Sequence, residues 1–350
     1  MTTADITPTA TIAVYGATGT TGGYLLAELH RRGLTPILVG RNAARLQAAA
    51  DAAGMPAAEI RVADVDDHSA LVDAFTDADV VISSLPAYVE IGETVLAAAV
   101  EAGAHYTDIS GEQLFLKRVL DGYGPRAEAA GVTVVSGVTD NNVSGDLLAY
   151  LVSRRVHRPA EIVLSHLSRS GGNGSKGSAK TVLASMDWFR SGGWHYEDGE
   201  FRTGPVTRHT AMTFPDANEP TAVAKFPQPP VLTIPRHSEV SYVAGALDVA
   251  ILKHLESFTA EALDTMPDAP SADLRYFVVV DAVGADGDRA RGVVSGVHSY
   301  RDSALMAVEA AIRLARGTTK PGVLAPAEAF DPEDFLNALA HHGISWQITG

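Results

Sequence analysis

The chain contains no cysteine, and that one absence removes disulfides, zinc–cysteine sites, iron–sulfur ligation and thiol nucleophiles together. It suits a reducing cytoplasm. Basic residues are also scarce: 27 face 42 acidic ones, a formal charge of −15, and only six of them are lysine. A balance of that sign excludes broad binding to a nucleic acid or an anionic membrane, so any bound phosphate must be held by a local device. Long apolar runs are missing too. Stretches such as Tyr276 to Val280 fall far short of the roughly 20 residues that span a bilayer. The start, Met1-Thr-Thr-Ala-Asp-Ile-Thr-Pro8, lacks the basic and apolar regions of an export signal. The expectation is a soluble cytoplasmic protein with no nucleic-acid or membrane partner.

What is present is globular: 46% hydrophobic and 20% charged residues, in a chain of 350 whose length suits two domains at about 150 residues each. Up to about residue 140, short β-rich runs alternate with helical patterns. The runs are Thr11–Tyr15, Pro36–Val39, Ile60–Ala63, Val80–Ser83, His105–Ile109 and Val132–Ser136. Helices are expected at Tyr24–Arg32, Ala43–Ala53, 67–76, 89–102 and 113–130. Such alternation predicts βαβ units, a Rossmann-type doubly wound parallel sheet, and ligand-binding loops along the edge formed by the strand C-termini.

The texture changes near Ser144. A helix at Leu147–Arg155 and a strand at Glu161–Leu167 lead into a Gly/Ser-rich stretch from Ser168 to Ser178. Residues 194–236 are dense in proline, which suits extended segments, edge strands and turns. A helix is expected near 241–258. Tyr276–Val283 and Arg291–His298 flank the polar turn Gly284–Asp288 as a hairpin, and a long helix runs from Ser303 to Arg316. The resulting expectation is an α/β protein: a nucleotide-binding domain over 1–143 and an α+β substrate domain with a mostly antiparallel sheet over 144–302. The apolar faces of that second sheet suit either the cover of an active site or a partner subunit in a homodimer.

Gly16-Ala-Thr-Gly-Thr-Thr-Gly22 follows the first strand and opens a helix. Glycines let the backbone turn tightly and approach a pyrophosphate, whose charge meets unpaired helix N–H groups. Gly16, Thr18, Gly19, Thr20, Thr21 and Gly22 are therefore candidate cofactor contacts. NAD enzymes usually place an acidic residue about 20 positions past the glycines; this chain has Val39-Gly40-Arg41-Asn42 there. A cation in a first helical turn opposes the macrodipole, so helix stability does not explain Arg41, whereas a ribose 2′-phosphate does. The expected cofactor is NADP(H), with Asn42 beside Arg41 as helix N-cap and Arg45 one turn on. Asp64 would flank the adenine, and Ser84 and Pro86 the nicotinamide half.

Hydride transfer also needs a proton source. No tyrosine has a lysine four places on, which excludes the Tyr-x-x-x-Lys mechanism, and no His-Glu-x-x-His motif occurs among the twelve histidines. Asp108, at the end of the fifth strand, is either a catalytic group or a helix cap. Asp140, with Asn141 and Asn142, ends the sixth strand. His166 ends a strand of the second domain, and Lys176 and Lys180 lie in or beyond the Gly/Ser stretch. That arrangement is similar to dihydrodipicolinate reductase-like domains, in which a strand histidine and a lysine precede a helix N-terminus holding a substrate anion. His166, Lys176, Asp108 and Asp140 are the catalytic candidates; Pro235-Arg236-His237 is a further polar group of the second domain. The pair His341-His342 reads as surface rather than as metal ligands.

Gly16–Gly22 with Gly40-Arg41-Asn42 resembles the saccharopine dehydrogenase-type NADP-binding domain. Thr94 to Glu112, which ends in Tyr106-Thr-Asp-Ile-Ser-Gly-Glu112, is similar to the version in the trans-acting enoyl reductase branch. The tail Gly322–Phe330 and Leu336–Gly343 resembles the family's closing segment. That resemblance implies that 303–350 packs back on the nucleotide domain. The chain departs from the enoyl reductase branch after the sixth strand, where Gly137 to Asp146 contains no proline and has extra residues. The expected function is an NADPH-dependent reductase of an activated C=C, C=N or C=O bond in a small or medium organic substrate, as in secondary metabolism. An NADP-binding redox sensor without turnover, or a non-redox enzyme on the same fold, is the alternative.

Overall fold

The computed structural model describes residues 10–169, 174–267, 270–271 and 273–350. Part of the Gly/Ser stretch, residues 170–173, lies outside them. The first half folds as β1 (Ile12–Tyr15), α1 (Thr20–Arg31), β2 (Ile37–Gly40), α2 (Ala43–Ala52), β3 (Ile60–Val62) and α3 (His68–Phe75). It continues with β4 (Val80–Ser83), α4 (Tyr88–Glu101), β5 (His105–Asp108), α5 (Gln113–Gly122), α6 (Gly124–Ala130) and β6 (Thr133–Val135). The six strands pair in parallel in the order 6-5-4-1-2-3, with Gly322–Val323 added beside β6. This is the Rossmann-type doubly wound sheet, and its chain reversal lies between β1 and β4, where such sheets open a crevice.

The helix expected over 113–130 is two helices. Gly122 and Gly124 flank the break, and Pro125, which can donate no backbone hydrogen bond, sits in the first turn of α6.

After α7 (Asn142–Ser153), β7 (Ala160–Ser168) enters a second sheet. Its order is Ala211–Met212, Thr221–Lys225, Val240–Asp248, β7, Tyr276–Val283, Arg289–Gly296, Ser345–Thr349. All neighbours along it are antiparallel except β7 with Val240–Asp248. The helix expected near 241–258 is thus corrected to a strand followed by a short helix, Val249–Glu256. The small residues Ala244-Gly245-Ala246 read equally well as helix, but Gly245 lies so close to the Phe226 carbonyl that a Cβ would collide with it. The long C-terminal helix starts at Ser299, earlier than expected, because His298 caps it by accepting the Arg301 N–H.

One continuous apolar core joins the sheets, from Ile12 and Val14 through Leu147 and Leu148 of α7 to Val278 and Val294. The Ser299–Ala315 helix packs on α1 and beneath β4 and β5. Ion pairs reinforce that contact: Arg32 meets Glu28 at 2.6 Å and Glu309 at 2.5 Å, and Arg313 meets Glu309 at 2.8 Å. The last strand does not return to the nucleotide unit with this helix; Ser345–Thr349 pairs with Arg289–Gly296 at the edge of the second sheet. Among the described residues no helix is long and apolar enough to cross a membrane.

Candidate functional site

The glycine loop is built as its spacing suggests. Gly16 has φ +88°, and a Cβ there would run into the Ser84 carbonyl; a Cβ on Gly22 would lie 2.5 Å from the Gly16 oxygen. Gly19 is under no such pressure, since its Cβ would meet Gly16 O at 3.5 Å. Gly19 is the N-cap of α1, with no side-chain cap and no acidic residue in the first turn, so the helix start offers its N–H groups to an anion. Thr18, Gly19, Thr20 and Thr21 line a cleft of about 850 Å³; Gly16 and Gly22 do not line it.

In the turn after β2, Arg41 is exposed and makes no hydrogen bond or ion pair with any described residue. Asn42 caps α2, its Oδ1 accepting the Arg45 N–H at 3.0 Å. Asp64 accepts the Asp66 N–H at 3.3 Å. The charges of Arg41 and Asp64 both act on the Tyr15 hydroxyl at the end of β1. Burial pushes that phenol up to about 12, with Asp64 adding to the rise and Arg41 opposing it. Arg45 reaches the cleft wall, and Arg41, Asn42 and Asp64 stand outside it.

The opposite wall comes from the second unit. Side chains alternate along β7, and His166 shares the inward face of Ile162 and Leu164, whereas Val163 and Leu167 face the outer cluster. This brings His166 to Asp140: Nε2 and Oδ2 are 3.1 Å apart. Asp140 is 4% exposed. Ser303 Oγ donates to Asp140 Oδ1 at 3.0 Å and accepts the Asp140 N–H at 3.0 Å. Burial alone would raise the Asp140 carboxyl, but His166, Ser299 and Ser303 outweigh it and hold it below the usual range. The Tyr276 ring backs the imidazole at 5.5 Å. A carboxylate-braced imidazole opening on a cleft can carry a proton.

Beside this pair, α8 (Lys176–Ala184) supplies Lys176, Lys180 and Thr181 to the wall. Ser175 caps it, its Oγ accepting the Ser178 N–H at 3.1 Å. Tyr300 Oη accepts the Ser175 N–H at 2.7 Å and donates to Ser178 Oγ at 2.9 Å. Ser84, Leu85 and Pro86 complete the wall across from α8. The cleft therefore gathers Thr18–Thr21, Ser84, Pro86, Asp140, His166 and Lys176 from separate stretches of sequence. Nothing in the spacing marks Tyr300, Ser303 or Thr181 for this place; only the path of the C-terminal helix and of α8 brings them in.

Asp108 stands apart from the cleft. It is fully buried, and its carboxylate accepts from Ser110 N at 2.9 Å, Gly137 N at 2.8 Å and Ser136 Oγ at 2.6 Å, tying the ends of β5 and β6 together. Burial raises its carboxyl above the ordinary value, against those three donors. Glu112, at the end of the same motif, accepts the Tyr88 and Val89 N–H groups at 2.6 and 2.9 Å and so caps α4. The Tyr106-x-Asp-x-x-Gly-Glu112 pattern is therefore architectural at both carboxylates. The Arg236–His237 pair is outside the cleft as well. His237 Nε2 lies 3.0 Å from the buried Asp146, and Arg236 pairs with Glu328 at 2.9 Å. Among the described residues no group of three histidine, aspartate or glutamate side chains could hold a metal ion.

Residues 12–135 match the family model described as the saccharopine dehydrogenase NADP binding domain. A trans-acting enoyl reductase of Mycobacterium ulcerans is 30% identical over 148 residues, 41% of this chain and 35% of that protein. A lipid droplet localized protein of Caenorhabditis elegans is 31% identical over 156 residues, 42% of this chain and 37% of that protein. The matched stretch thus spans little more than a third of either relative. Among solved structures, apo saccharopine dehydrogenase (L-Glu forming) from Saccharomyces cerevisiae superposes with a TM-score of 0.63 at 14% identity, covering 97% of this chain and 100% of that one. That likeness is one of fold, and it extends over both sheets.

Proposed function

We propose that this chain, built on a saccharopine dehydrogenase-type NADP-binding domain, is an NADPH-dependent reductase whose substrate lies between the glycine loop and His166. One observation carries the reading: the Asp140-braced His166 opens on the same cleft as Thr18–Thr21 and Ser84–Pro86. The glycine loop supports a dinucleotide because Gly16 and Gly22 let it fold tightly against Ser84 and Ala17, where a Cβ would collide, and so set the uncapped start of α1 at the cleft. Arg41, exposed and without an anionic partner among the described residues, supports the 2′-phosphate form. NADPH would supply the hydride.

The chain's own part is to bind, orient and move a proton. Backbone groups at Thr18–Thr21 would hold the pyrophosphate, and the turn at Ser84–Pro86 would lie along the nicotinamide end. Asp140 fixes the imidazole of His166, which gives a proton to the substrate atom that becomes electron-rich when its neighbour accepts the hydride. The proton is regained from solvent, and the products are the reduced substrate and NADP⁺. The enoyl reductase relatives support an activated C=C bond as acceptor; a C=N or C=O bond fits the same geometry. The His166–Asp140 pair favours turnover over a sensor, which needs no proton carrier beside the nicotinamide.

The test is NADPH consumption, followed by nicotinamide absorbance, with a panel of enoyl thioesters, cyclic imines and ketones. Turnover with one class is the expected result. Tight NADPH binding without consumption by any of them would leave the sensor reading in its place.

A further inference from the structure

The turn that packs the nicotinamide end is strained. Ala87, which follows Pro86, has φ 48° and ψ 61°, the left-handed region that an alanine rarely adopts, and is buried. Three consecutive amides explain how it is held. The Tyr88 and Val89 N–H groups go to Glu112 of the same unit. The Ala87 N–H goes to Thr181 Oγ1, across the cleft on α8, at 3.1 Å. The same turn is locked against the glycine loop, because the Ser84 carbonyl occupies the space that a Cβ on Gly16 would need.

The helix at the other end of that bond lies at the surface of its own unit, against the helices at Met186–Ser191 and Ala260–Thr265. Ala179 is the only buried residue of α8. Its start is held by Tyr300, from the helix that packs on α1 and under β4, and Thr181 lies about one turn from its end. Lys176, Lys180 and Thr181 all reach the cleft. Thr181 and the Ser175 cap thus tie α8 to the nucleotide unit and to the helix packed on it.

We propose that Thr181 is a positioning residue for hydride transfer: its hydroxyl joins the Ser84–Ala87 turn to α8, so that the nicotinamide end and the substrate wall are set as one body. The proposal rests on the NADPH-reductase reading above. Thr181 touches neither hydride nor proton; it acts through the Ala87 amide.

Two variants separate the hydroxyl from the shape of the side chain. Thr181→Val keeps the shape and removes the acceptor, and Thr181→Ser restores the acceptor. In the unmodified protein, saturating NADPH should slow amide exchange in both 84–90 and 176–184 and enhance nicotinamide fluorescence. In Thr181→Val, NADPH affinity should stay within about fivefold, the size of one neutral hydrogen bond, while the response in 176–184 and the fluorescence gain are lost. Thr181→Ser should regain both. A Thr181→Val protein that keeps the coupled response, or a Thr181→Ser protein that fails to recover it, overturns the proposal. If the unmodified protein binds no NADPH, the cofactor reading falls instead. Exchange at Ala87–Val89 in the ligand-free protein then judges the contact alone: it must be faster in Thr181→Val, and equal rates overturn the tie.

Discussion

The two walls of the cleft are made of different material. Up to β5 the seven-stranded sheet meets the cleft mainly with loops and turns whose path the backbone sets, Thr18–Thr21, Ser84–Pro86, Ile109 and Gly111, with Arg45 at the margin; Asp140, after β6, belongs with the side chains that face them. The second sheet and its helix meet it with the side chains of His166, Lys176, Lys180 and Thr181. A backbone wall is specified by shape, so an added methyl group damages it. A side-chain wall is specified by chemistry, so an isosteric change with the wrong donor damages it while the fold survives.

The largest effect should come from the backbone wall. Gly16→Ala places a Cβ against the Ser84 carbonyl at φ +88°. Strain of this kind costs about 1–3 kcal/mol or more, and the cradle has to shift, so NADPH binding should be lost to below detection in a fluorescence titration. Near-normal affinity in Gly16→Ala would break the contrast at its stronger side. The side-chain wall should answer in rate alone. His166→Gln and Asp140→Asn are expected to lower kcat by roughly 100-fold or more with NADPH affinity and melting temperature little changed. A parallel loss of cofactor binding would show that the two walls do not divide the work in this way.

The joint between the units gives the next effect. Glu309 is mostly buried; burial would raise its carboxyl, but Arg32 and Arg313 hold it below the ordinary value. Removing it in Glu309→Ala leaves two partly buried guanidiniums less compensated, at a cost of roughly 3 kcal/mol read by urea unfolding. Because the folded-state value is depressed, this contribution is complete above the unfolded glutamate value of about 4.3 and is lost as pH falls through the folded value. The stability gap between the unmodified protein and Glu309→Ala should therefore shrink on acidification below about pH 4 and stay flat near neutrality. The smallest effect sharpens cofactor choice. Arg41→Ala should weaken NADPH by about tenfold or more, the worth of a charge-assisted pair, and leave NADH within about twofold. Equal losses for the two would remove the 2′-phosphate assignment.

The same division explains what the sequence made legible. A backbone wall follows from local pattern: the glycine spacing, and apolar runs separated by helices, are enough to place β1 to β6 along the chain and the edge that their C-terminal ends form. A side-chain wall depends on which strands become neighbours. His166 and Asp140 are each visible as polar groups at strand ends, but their pairing depends on the inward face of β7 being laid over the end of β6, which no local pattern encodes. Asp108 misleads for the converse reason. A carboxylate at a strand C-terminus looks like a ligand group, and only the three donors around it reveal a brace between turns. The stretch near 241–258 reads as one helix in the sequence, but Val240–Asp248 is a strand between β7 and Thr221–Lys225, where the close approach of Phe226 and Gln228 demands the small Gly245 for a tertiary reason.

The most direct test of the account is a crystal structure of the protein with NADPH bound. The predicted result has the pyrophosphate at Thr18–Thr21, the 2′-phosphate at Arg41, and the nicotinamide packed on Ser84–Pro86 with its C4 turned toward His166. A nicotinamide outside the cleft, or one presenting C4 away from His166, would contradict it.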